Sequence, residues 1–180
     1  MTITPDTKDW TWVLERTCPE CGFDSTSVAA ASVAGLTRAS AARWQEVLQR
    51  DGAEVRTDSE RWSALEYGCH VRDVFQIFNG RLGRMLAEDD PLFENWDQDA
   101  TAIEARYGEQ DAAEVADALV VRGAALADRF DTVAPRDLTR RGRRSDGARF
   151  TIESFARYFI HDPIHHLHDV GAPLEVPPPA

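Results

Sequence analysis

Apolar residues recur along most of this chain at steps of three, four or five, the spacing of helices that bury one face. The first such stretch follows Asp24-Ser25-Thr26-Ser27, whose side chains suit a helix N-terminus. It runs through Ala31, Gly35, Leu36, Ala39, Ala42, Val47 and Leu48 to a stop at Asp51-Gly52. A first helix over about 25 to 50 is expected. A second, over about 59 to 87 with Asp58 or Ser59 as its cap, carries Trp62, Leu65, Cys69, Val74, Ile77, Phe78, Leu82 and Met85 in one stripe, and His70 lies in that stripe. Val115, Leu119, Ala125, Leu126 and Phe130 mark a third from Asp111 to Asp131. Thr151 caps a fourth through Ile152, Phe155, Tyr158 and Phe159 to about Val170, ahead of Gly171 and the closing prolines.

Between these stretches, residues 88 to 109 form a long acidic connection with Pro91, Phe93, Trp96 and Tyr107, expected to lie across one end of the molecule. The arginine-rich stretch from Asp137 to Arg149, with Gly142 and Gly147, reads as an exposed turn or short hairpin. Alternation of period two is nearly absent. The expected fold is therefore all-α, a four-helix bundle with a long connection between helices 2 and 3. An N-terminal arm (1–23) packs on the bundle (24–170), and a disordered proline-rich tail follows (171–180). At 180 residues this is one domain.

Charge changes the picture by exclusion. Thirty-one acidic against twenty basic residues give a net charge of −11, which repels phosphate backbones and anionic lipid, so nucleic acid and membrane surfaces are poor partners. No apolar run reaches the roughly 20 residues of a membrane span, and the opening MTITPDTKDW lacks the pattern of an export signal. Three cysteines in such a chain point to reduced thiols and a cytoplasmic location.

The chemistry concentrates near the C-terminus. Four of the five histidines lie in His161-Asp162-Pro163-Ile164-His165-His166-Leu167-His168. His161 and His165, four apart, project from one helix face and suit zinc, nickel, copper or iron. His70, the one remaining histidine, is the natural third ligand. Three imidazoles would leave an open position for water or a thiolate, whereas a fourth ligand such as His168, Glu66 or Asp162 would close the site into a non-catalytic binding centre. His166 and His168 point to other faces, in supporting or solvent roles. Glu66 and Asp73, one turn either side of His70, are the candidate proton-transfer residues, and Arg72, Arg157 and Tyr158 are candidates for an anionic substrate. Pro163 inside helix four should kink it. Cys18-Pro19-Glu20-Cys21 is half of a zinc knuckle, but a full site needs four ligands and only Cys69 is left among the cysteines, so the reading is a tight turn packed on the bundle.

The segment from Trp62 to Asp73 (W-S-x-x-E-x-x-x-H) and the His161 to Asp169 segment resemble the DinB-like superfamily of metal-dependent enzymes, also called YfiT-like, over most of residues 25 to 170. The resemblance implies a four-helix bundle, often dimeric, with zinc or nickel on His70, His161 and His165. It also implies a hydrolase or a transferase acting on a small electrophile, in the latter case with a low-molecular-weight thiol such as mycothiol as cosubstrate.

Overall fold

The protein, described by a computed structural model over residues 9–176, is built from five helices and a small sheet. The helices are α1 (Val33–Leu48), α2 (Ala64–Ala87), the short α3 (Gln98–Glu104), α4 (Ala112–Asp131) and α5 (Ile152–Asp169). The sheet is β1 (Leu92–Phe93), β2 (Arg141–Arg144) and β3 (Arg149–Thr151). α4 packs against α1 and α2, and α5 closes the bundle against the same two helices. Apolar stripes meet in a core of Trp44, Phe75, Leu82, Leu119, Leu126, Phe155 and Phe159, all essentially buried. Phe78 and Phe155 (4.8 Å between ring centres) and Phe130 and Phe159 (5.6 Å) link α2, α4 and α5. Gly123 lets α4 come this close, since a Cβ there would lie 2.8 Å from that of Ala41 and 3.1 Å from the Phe75 ring.

Helix starts differ from the sequence expectation for reasons of hydrogen bonding. Asp24 does cap, but only a single 3-10 turn (Ser25–Ser27). The Ser25 hydroxyl donates to the Val13 carbonyl (2.6 Å) and the Arg157 guanidinium to that of Val28 (2.9 Å), so this segment is tied to the arm and to α5 before α1 begins at Val33. α2 begins at Ala64 rather than 59, because Ser63 and Glu66 form a reciprocal capping box: the Glu66 amide donates to Ser63 Oγ (3.2 Å) and the Ser63 amide to Glu66 Oε2 (2.8 Å).

The fold is not purely α-helical as expected. The basic stretch forms the β2–β3 hairpin, and Phe93 of the long connection brings β1 alongside β2 in parallel. Gly142 makes that possible: a Cβ there would collide with Phe93 and Met85 at 2.8 and 2.9 Å. The chain beyond Gly171 also departs from expectation. Ala172 is fully buried, and Leu174 and Val176 pack on the core; the expected disorder of the last prolines falls at 177–180, outside the described residues. From residue 9 onward, Val13, Cys18 and Phe23 of the N-terminal arm are buried. α5 runs unbroken through Pro163, whose carbonyl accepts from Trp44 Nε1 (3.3 Å), so the one-turn spacing of the histidines holds.

Candidate metal centre

α5 turns two adjacent faces toward different neighbours. His161 and His165, with ring centres 5.0 Å apart, face the N-terminal arm. Asp162 and His166, one residue further round at about 100° of helical rotation, face α2. The three histidines expected to converge are thereby divided. Cys18, Cys21, His161 and His165 bring one ligand atom each within 4.8 Å of the others, and His70 joins Asp162 and His166 in a second group of the same tightness. The two groups adjoin, with His165 and His166 rings 5.5 Å apart.

In the second group His70 Nε2 lies 3.3 Å from Asp162 Oδ2, and its ring is held between Trp62 (5.6 Å) and Trp96 (5.3 Å, stacked). Trp96 comes from the long connection, which therefore does reach the end of the bundle where the histidines lie. His166 Nδ1 donates to Asp169 Oδ2 (2.9 Å), which leaves Nε2 as its ligating nitrogen. His70 Nδ1 and Asp162 Oδ1 are buried with no hydrogen-bond partner in the protein. Burial opposes ionisation of Asp162, but His70 and His166 beside it hold the carboxyl far below the usual range. The carboxylate is therefore charged at neutral pH. A cleft lined by Trp10, Gln98, Tyr158, His161, Asp162, His165 and His166 opens where the two groups adjoin.

In the first group Cys18 Sγ lies 3.7 Å from His165 Nδ1, and Cys21 Sγ lies 3.6 Å from His161 Nε2. Burial, reinforced by the charge of a neighbouring histidine, pulls His161 down to about 4 and also lowers His165, so both rings are neutral at pH 7 with a lone pair to donate.

The proposed proton-transfer residues stand apart from both groups. Glu66 is held by Arg56 and by its capping role, with Arg56 Nε 2.7 Å from Oε2. Asp73 accepts from Arg72 (2.9 Å), Arg122 (2.8 Å) and the Tyr107 hydroxyl (2.6 Å). Each carboxylate has its acceptor capacity engaged by structural partners. His168 is exposed and in neither group, and Arg157 ties α5 to Val28. Tyr158 does line the cleft. Sequence reasoning offered Asp162 only as a fourth ligand closing the three-histidine site, gave His166 a supporting role, and read Cys18 and Cys21 as a tight turn. Asp162-x-x-x-His166 has the same one-turn spacing as His161-x-x-x-His165, and that was the available signal.

A helical bundle presenting histidine-rich ligand groups at one end is thus the class of molecule that the fold and site define. Residues 36–170 match the DinB superfamily, and the chain belongs to that family. Among solved structures it is similar to YfiT from Bacillus subtilis, described as a probable metal-dependent hydrolase with an unusual four-helix bundle topology. The identity is 15%, the TM-score is 0.68, and the match covers 77% of this chain and 82% of that one. No curated protein matches the sequence.

Proposed function

We propose that this protein is a metal-dependent hydrolase whose reactive centre is His70, Asp162 and His166. The observation that carries this reading is the pair of buried atoms without protein partners, His70 Nδ1 and Asp162 Oδ1, in a group of three ligand types beside a cleft. A buried polar atom left unpaired costs roughly 1–3 kcal/mol, and an ion or its bound water would remove that cost. The donors fit the group implied by the family: two imidazole nitrogens and one carboxylate are the ligand types of open catalytic zinc sites, with a further position left for a small ligand. A divalent ion held there would supply Lewis acidity and lower the pKa of a bound water or thiol.

The chain's own residues prepare the site. Trp62 and Trp96 fix the plane of the His70 ring, Asp169 fixes the tautomer and aim of His166, and the charged Asp162 balances the cation. Trp10 provides an apolar wall of the cleft, Trp96 covers one face of the His70 ring, and the cleft admits a small electrophile past Tyr158. With water as nucleophile the outcome is hydrolysis, and with a low-molecular-weight thiol it is S-transfer.

The test is a panel of ester, amide and thioester substrates, with and without added thiol, on protein reconstituted with zinc or nickel. His70→Ala and Asp162→Asn are the controls. Turnover that depends on metal and disappears in both variants supports the assignment. Turnover retained in both, or the same metal content in wild type and both variants, would refute it.

A further inference from the structure

The four-ligand group on the other face of α5 is a different kind of site. We propose that Cys18, Cys21, His161 and His165 bind one zinc ion in a closed tetrahedral site that clamps the N-terminal arm onto α5. Two edges of the group have the length that a zinc tetrahedron requires. With Zn–S and Zn–N bonds of about 2.3 and 2.0 Å, a tetrahedron has S···N edges of about 3.6 Å, and the two S···N separations are 3.7 and 3.6 Å. All four ligand atoms lie within 4.8 Å of one another, and Cys18, His161 and His165 are buried.

The arm is folded for this purpose. The Cys18 amide donates to the Phe23 carbonyl (2.8 Å) and the Gly22 amide to the Cys18 carbonyl (2.9 Å), and Gly22 takes a φ of +74° that closes the turn and points both sulfurs inward. Carboxylates hold the far nitrogen of His165: Nε2 lies 3.4 Å from Glu20 Oε2 and 3.7 Å from Asp169 Oδ2, while Nδ1 faces Cys18. That is the outer-sphere arrangement that orients a ligating imidazole. Four protein ligands leave no open position, and soft thiolates with imidazoles favour zinc among the common divalent ions. Zinc binding displaces the two thiol protons to solvent. The clamp also has a consequence for the cleft. Trp10, on the same arm, lies 5.6 Å from the His161 ring and 5.1 Å from that of His165, and it lines the cleft together with these two histidines, Asp162 and His166.

The test uses the full chain with Co²⁺ and Zn²⁺ as probes. Cobalt should give a thiolate-to-metal charge-transfer band that is displaced by zinc and that, in His70→Ala, where the other centre no longer competes, saturates at one equivalent. The band should vanish in Cys21→Ser and in His161→Ala and survive in His70→Ala, which separates this site from the hydrolytic centre proposed above. Since a cysteine variant can fail to fold, the wild-type chain supplies a second measurement. Alkylation of Cys18 and Cys21, followed by mass spectrometry, should be blocked by zinc and restored by a chelator, with Cys69 unchanged. Absence of the charge-transfer band, its survival in Cys21→Ser, or alkylation indifferent to zinc would each overturn the proposal.

Discussion

The two faces of α5 carry ligand groups of opposite character, one turn of helix wide and rings 5.5 Å apart at their nearest. The group toward the arm has four donors, two of them sulfur, and every donor is aimed at another. The group toward α2 has three donors, two of them histidines and one a carboxylate, with two buried atoms unpartnered, and both groups border the same cleft. If the two proposals hold, the difference teaches what separates a fastener from a reaction centre on one scaffold: the number of protein ligands and whether a position is left over, rather than the presence of histidines.

The largest effect should come from the fastener. Cys18→Ser with Cys21→Ser removes both sulfur ligands and frees the arm, and we expect a loss of about 4 kcal/mol in stability with zinc present, because metal binding free energy is folding free energy for the segment that it holds. Chemical denaturation with and without zinc measures it; equal stabilities in the double variant and the zinc-loaded wild type would break the contrast. Next comes Asp162→Asn, expected to lower turnover by about 100-fold or more while leaving the cobalt charge-transfer band intact. A variant that loses the band as well would show that the two groups are one centre.

Smaller and more discriminating is Asp169→Asn. This carboxylate bonds His166 (2.9 Å) and stands 3.7 Å from His165, so it serves both groups. Burial works against its ionisation, but the bond from His166 and the neighbouring histidines keep it below the ordinary carboxylate value and charged at pH 7. We expect metal affinity to fall about 10-fold at the His70 group, where the contact is short, and less at the cysteine group, where Glu20 also holds His165. Competition with a chromophoric chelator resolves the two; an equal drop at both would remove the distinction in how the rings are supported.

The bundle was legible because its cause is local. Apolar residues at helical spacing and caps such as Asp111 and Thr151 are read directly from the chain, and they place the histidines at one end of α5. The hairpin at 141–151 was legible as a turn, but its pairing with Leu92–Phe93 depends on Gly142 meeting Phe93, a contact between distant segments. The candidate site was legible in its residue types and not in its grouping. Helical spacing says that His161 and His165 share a face; it does not say which neighbour that face meets. The cysteines that meet that face lie 140 residues away or more. Seen alone, Cys18 and Cys21 are half a site. The structure groups His70 with Asp162 and His166, which occupy the face that α5 turns to α2.

The smallest effect concerns Glu66, which sequence spacing offered as a base and the structure uses as a fastening for the start of α2. Burial would raise its pKa, but the bond from Arg56 and those at Ser63 outweigh it, and the net displacement is downward from 4.5. A carboxyl with a depressed folded-state pKa stabilises the fold at every pH above its unfolded value, and that contribution disappears as pH falls through the folded value. Glu66→Gln keeps a capping side chain but loses the charge, so it should cost about 1 kcal/mol at pH 7. The gap between wild type and variant should narrow from about pH 4.5 downward. Thermal melts across that range supply the comparison, and metal content and turnover at pH 7 should be unchanged in the variant. If Glu66→Gln instead abolished turnover without moving the melt, Glu66 would belong to the reaction centre, and the division of labour between α2's first turn and His70 would have to be redrawn.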